Sequence, residues 1–183
     1  MISKDVMRLC ASIKDCPEPL YVDVKPENWA LTSECFPNVK RKVEENGGRI
    51  QYGWAIWQCD QFFIEAEYHA VYESALGEPL IDITPQIPQL DKIMFLPDDA
   101  AVYDFSTTNQ YDNHRMALIH DPRVLRILRL FTARTSLLNK LPREDGKVEL
   151  SGERRERYEA ICDEIGHLGY SLMQSQVRNI WQS

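Results

Sequence analysis

No stretch of this sequence is apolar for long enough to cross a bilayer, and its first residues lack the apolar run of a signal peptide. A soluble cytoplasmic protein with no membrane partner is therefore expected. Positive charge is also scarce: 21 lysines and arginines face 28 aspartates and glutamates, for a net charge of -7. Phosphate backbones are held by concentrated positive surface, so this balance predicts no nucleic-acid partner. The five cysteines stand at 10, 16, 35, 59 and 162 with no CxxC pair, which excludes a zinc finger or ribbon and suits free thiols in a reducing compartment. Gly47-Gly48 lacks the strand-turn-helix context of a phosphate loop. No repeat or low-complexity tract is present.

What remains is globular composition, 44% apolar and 27% charged, over 183 residues. The first ten residues read as a short amphipathic helix, stopped by the prolines of Asp15-Cys-Pro-Glu-Pro19. Leu20 to Val24 reads as a short strand. Ser33 is a candidate N-cap for a helix that carries Cys35 in its first turn and stops at Gly47-Gly48. From Arg49 the apolar period becomes two, predicting strands over Arg49 to Trp57, Gln61 to Glu73, Glu78 to Thr84 and Ile93 to Leu96. Asp104 to Asp121 reads as loop. Pro122 to Leu141 and Ser151 to Met173 read as two amphipathic helices linked by Pro142 to Gly146. Arg123, Arg126 and Arg129 form a stripe that suits a solvated helix face or an acidic partner.

The predicted fold class is α+β: a helix carrying Cys35 packed on a four-stranded antiparallel sheet, with a C-terminal helical hairpin. Residues 1–100 form the core and 101–183 a helical extension packed on it.

Three residues carry the chemistry, in chain order Cys35, His69 and Asp82. A thiol nucleophile is activated at a helix start and by a neighbouring imidazole, and the imidazole needs an acceptor to orient it. A symmetric turn over Ser74 to Gly77 pairs His69 directly with Asp82 on one sheet face, about 5 Å apart at Cβ. On that register Ile64, Ala66, Tyr68, Ala70, Tyr72, Ile81 and Ile83 form an apolar face. Glu65, Glu67, His69 and Asp82 form a polar one, joined by Tyr52 and Trp54 if the preceding turn is also symmetric. Tyr52, Trp54 and Glu67 are the candidate substrate-binding residues.

Cys35 at a helix start, followed by His69-Ala-Val-Tyr-Glu73 and Gly77-Glu-Pro-Leu-Ile-Asp82-Ile-Thr-Pro85, resembles the transglutaminase-like cysteine enzymes over about residues 30–97. That family shows His-Ala-Trp-x-Glu on one strand and Asp-x-Thr at the end of the next. Val71 stands where tryptophan is common, and Pro79-Leu80 replaces a usual tryptophan before Asp82. The resemblance implies Cys35 as nucleophile, His69 as base and Asp82 as orienting acceptor. It implies a hydrolase, deamidase or acyl transferase that forms a thioester with an amide substrate, such as a protein side chain or peptide, with no cofactor. Two alternatives stand beside it. Glu65, Glu67, His69 and Asp82 offer ligands for a divalent metal. A non-catalytic adaptor would instead use the C-terminal helices to bind a protein.

Overall fold

The period-two run after Gly48 does form strands, but the sheet they join closes on itself. The computed structural model describes residues 2–106, 111–141, 143–144 and 147–180. Two compact units divide the chain, Met1–Cys59 with Ile64–Asp104 and Asp60–Phe63 with Phe105–Ser183.

The first unit contains helix α1 (Lys4–Ile13), strand β1 (Leu20–Val24), helix α2 (Cys35–Asn46) and strands β2 (Arg49–Cys59), β3 (Phe63–Glu73), β4 (Ile81–Asp82) and β5 (Lys92–Pro97). Strand order is β2-β5-β1-β4-β3, and a further β2–β3 pairing closes the barrel. This corrects the expected four-stranded antiparallel sheet. β1 lies between β5 and β4, antiparallel to the first and parallel to the second, with Val24 beside Asp82. A parallel pair joins segments far apart in the chain and has no hairpin turn to announce it. Closure also removes the open edges that a four-stranded sheet would expose.

Inside the barrel, Val22, Ala55, Val71, Ile93 and Phe95 pack together. Gly53 is needed where β2 passes β5, because a Cβ there would overlap the Leu96 carbonyl and the Phe95 ring. α2 lies against the other face of the strands. Its Cys35, Val39 and Val43, spaced one turn apart, pack with Ala70, Tyr72 and Ile83. Gly47, at φ 72, ends the helix by donating its N–H to Val43 O at 2.8 Å. α1 is capped by Ser3, whose hydroxyl accepts from Val6 N at 3.2 Å, and buries Val6, Leu9 and Cys10.

The second unit holds strand β6 (His114–Ala117), helix α3 (Pro122–Leu138), the short strands β7 (Arg143–Glu144) and β8 (Lys147–Val148), and helix α4 (Gly152–Ile180). β6 lies within the stretch expected to be loop, and four residues are too few to show a period. Of the expected link between the helices, residues 142, 145 and 146 lie outside the described residues. α3 begins at an Asp121 cap, whose carboxylate accepts from Arg123 N at 2.8 Å. α3 and α4 run antiparallel, with Arg126 on Glu164 at 2.7 Å and Arg123 on Ser171 Oγ at 2.9 Å. Two members of the arginine stripe thus face a partner helix. No described helix is long and apolar enough to cross a membrane.

Candidate functional site

Asp82 has no exposed surface. A buried carboxylate is tolerated only when donors replace its water, and three groups surround this one. Thr84 N donates to Oδ1 at 2.9 Å, the two-residue step of an Asx turn. Gln86 Nε2 donates to Oδ2 at 2.7 Å. His69 Nε2 stands 3.1 Å from the same Oδ2.

His69 reaches that oxygen from β3 along a diagonal. β3 pairs with β4 antiparallel through Tyr72 and Ile81, two residues along from the expected register. A one-residue slip would have sent the two side chains to opposite faces, whereas a two-residue slip keeps them together. The contact is close but poorly aimed. His69 Nε2 is the one buried side-chain nitrogen or oxygen among the described residues without a hydrogen bond of good geometry. The 3.1 Å separation is therefore an electrostatic pairing, and the ring proton is not directed at Oδ2.

Cys35 acts on the same imidazole. Burial drives the His69 proton affinity down, but the neighbouring Cys35 sulfur and Asp82 carboxylate hold it well above the usual histidine range. A buried imidazole flanked by two anion-forming groups stays protonated where an isolated buried one would be neutral. The Phe95 ring meets its edge at 6.4 Å between centroids. Cys35 and His69 expose only 7% and 6% of their surfaces.

The local backbone explains how Cys35 is held. The helix N-cap is Glu34, not the expected Ser33, and its side chain makes no capping bond. Ser33 adopts φ 63, a left-handed conformation that costs free energy outside glycine and asparagine. Asn38, one turn into α2 and buried, restrains this approach. Its Oδ1 accepts from Leu31 N at 3.1 Å, and its Nδ2 donates to Leu31 O at 2.8 Å and to Thr84 Oγ1 at 3.2 Å. Thr84 is the residue whose N–H holds Asp82, so Asn38 joins the Cys35 helix to the aspartate loop. In the sequence, Asn38, Thr84 and Gln86 are polar residues beside apolar runs and carry no further mark of this role.

Tyr52 and Trp54 do not face His69. The Trp54 ring lies 5.3 Å from Tyr68, and Tyr52 lies 6.3 Å from Phe36. Tyr68 alternates with His69 on β3, so this aromatic cluster occupies the opposite face. Tyr52 nevertheless packs against the cluster that holds Cys35, Ala70 and Tyr72. Phe36, next to Cys35, stacks on Tyr103 at 4.1 Å and 9°. Burial and the neighbouring Tyr103 push the Tyr52 phenol upward. Glu67 accepts from Trp57 Nε1 at 2.7 Å. Glu65 is half-buried. Among the described residues no three His, Cys, Asp or Glu side chains are grouped to hold a metal ion.

A groove of about 550 Å³ runs beside the C-terminal half of α2, lined in part by Lys25, Lys42, Tyr72, Leu76, Ile81 and Ile83. Tyr72 and Ile83 also belong to the Cys35 cluster. No family model, curated protein or solved structure matches this chain.

Proposed function

We propose that this protein is a cysteine-dependent enzyme acting on an amide or related acyl group, with Cys35 as nucleophile, His69 as acid and base, and Asp82 as the acceptor that orients the imidazole. One observation carries the reading: a single buried imidazole is flanked by the Cys35 sulfur and the Asp82 carboxylate, and its proton affinity is raised despite burial. A histidine kept only for packing has no need of two such neighbours, and perturbed buried titratable groups concentrate at reactive sites.

With Nε2 turned to Asp82, Nδ1 is the nitrogen left for the thiol. The Cys35 thiolate, paired with the His69 imidazolium, attacks the carbonyl carbon. The tetrahedral intermediate collapses as the C–N bond breaks, and His69 returns its proton to the leaving amine. Water, deprotonated by His69, then attacks the thioester, releases the acid and restores the starting pair. An amine in place of water gives acyl transfer, and a side-chain carboxamide as substrate gives deamidation. Because Pro37 has no N–H, the N–H groups of Cys35 and Phe36 are the first-turn donors available to a developing oxyanion. The low exposure of Cys35 favours a narrow acyl group, such as a side chain or an extended chain end.

Iodoacetamide labelling of the folded protein near neutral pH, read by peptide mass mapping, tests the reading. Cys35 should react faster than the exposed Cys16, and His69→Gln should slow Cys35 by about tenfold or more. A Cys35 that reacts no faster than Cys16, or equally fast without His69, ends the proposal.

A further inference from the structure

We infer that Gln86 is a positioning residue of this site: its amide fixes the direction of the Asp82 carboxylate and so limits how firmly that carboxylate grips His69. Two donors compete for Asp82 Oδ2. Gln86 Nε2 reaches it at 2.7 Å, while His69 Nε2 stands at 3.1 Å with its proton off the line. The shorter, better-directed bond is the one that orients the oxygen, since charge-assisted hydrogen bonds strengthen steeply as they shorten and straighten.

The amide orientation of Gln86 follows from its surroundings. Its Nε2 also lies 3.4 Å from Thr84 O, so turning the amide over would set its oxygen against a carboxylate and a carbonyl at once. Gln86 therefore acts as a donor. Thr84 N fixes Oδ1 and Gln86 fixes Oδ2, so the carboxylate plane is set from the loop that follows β4. His69 must accept the plane it is offered.

Such an arrangement suits a catalytic imidazole better than a tight ion pair would. A carboxylate aimed squarely at Nε2 would hold the imidazolium so firmly that it gave its proton reluctantly to a leaving group. Sharing Oδ2 with a neutral amide tempers that hold.

This inference deepens the proposed triad and rests on it for its purpose, but the test below runs without the thiol. In Cys35→Ser protein the ionisable group left acting on His69 is Asp82. With histidine labelled for NMR, the His69 signal is identified by its loss in His69→Gln, and its titration is followed with and without Gln86→Met. Removing the amide frees Oδ2 to turn toward Nε2 and leaves the carboxylate charge unshared, and both changes favour the imidazolium. The His69 midpoint should rise by roughly half a pH unit or more. An unchanged or lowered midpoint overturns the inference. Gln86→Asn, which keeps an amide one methylene too short to reach, should give the same rise and serves if the methionine variant does not fold; an Asn variant that titrates as wild type overturns it equally. A raised midpoint in protein whose intact Cys35 proves unreactive would end the enzyme proposal and leave the role of Gln86 standing.

Discussion

His69 and Asp82 meet at 3.1 Å across a strand pair in which neither is the other's direct partner. The diagonal approach leaves room for Gln86 and Thr84 on the same carboxylate, which a face-to-face pairing would crowd. Several consequences of that crowded acceptor are measurable.

Replacing Asp82 by Asn tests the acceptor. Asn keeps one oxygen for Thr84 N but turns an NH2 toward Gln86 Nε2 and His69, setting donor against donor in a buried site. An unsatisfied buried polar group costs about 1–3 kcal/mol, so the variant should fold with a lowered urea midpoint. Alkylation of Cys35 should slow by roughly a hundredfold or more, because the imidazole loses its orienting charge. A midpoint and a rate both near wild type would show Asp82 to be only a turn residue.

The pH dependence of stability follows from the raised His69 proton affinity. A histidine whose folded value lies above its unfolded value of about 6.5 contributes its full stabilisation below that pH and loses it as pH rises through the folded value. The gap in urea midpoint between wild type and His69→Gln should therefore be widest in mild acid and narrow as pH rises above about 6.5. A gap that widens with pH contradicts the charge assignment.

Much of this site is legible in the amino-acid sequence, and what is hidden has a physical cause. Gly47-Gly48 stops α2 and Pro37 is compatible with its first turn, so the helix itself is legible, but its N-cap is Glu34 rather than the expected Ser33, and its approach is held by Asn38. The alternation through β3 and the short link to Asp82 put His69 and Asp82 on one face, even though the register is displaced by two residues. Tyr52 and Trp54 share a strand face with Tyr68 rather than with His69, and Tyr52 packs against the Cys35 cluster, an arrangement that the strand alternation alone does not reveal. The place of β1 depends on β4 and β5, which lie far along the chain, so barrel closure leaves no local mark. Gln86 lies in a loop after a proline, where side chains have no period to reveal their direction.

Gly53 tests the barrel directly. A methyl group at this position would meet the Leu96 carbonyl and the Phe95 ring, both parts of a packed strand pair. Gly53→Ala should force β2 and β5 apart and cost roughly 1–3 kcal/mol, read as a lower urea midpoint. Gly77→Ala is a useful companion, since space there is open and only its φ of 71 resists the change. A neutral Gly53→Ala would mean that β2 and β5 are not paired as described.

Asn38 offers the sharpest test of how the two halves of the site are joined. Its amide serves three partners: the Leu31 N–H, the Leu31 carbonyl and the Thr84 hydroxyl. Asn38→Ala leaves both Leu31 groups without their partner, so a loss of about 2–4 kcal/mol is expected. Asn38→Asp is the more informative variant. Its carboxylate still accepts from Leu31 N, but it cannot donate to Leu31 O and meets that carbonyl with negative charge. If Asn38 only stabilises the fold, Cys35 in whichever variant remains folded should react with iodoacetamide as fast as in wild type. If it positions the nucleophile, the folded variant should show a slowed Cys35 while the His69 titration in Cys35→Ser protein stays unchanged, because Asn38 meets the Thr84 hydroxyl and not the Thr84 N–H or the Gln86 amide that hold Asp82. Slowed alkylation with an unmoved imidazole would thus assign Asn38 to the thiol side of the site and not to the carboxylate side.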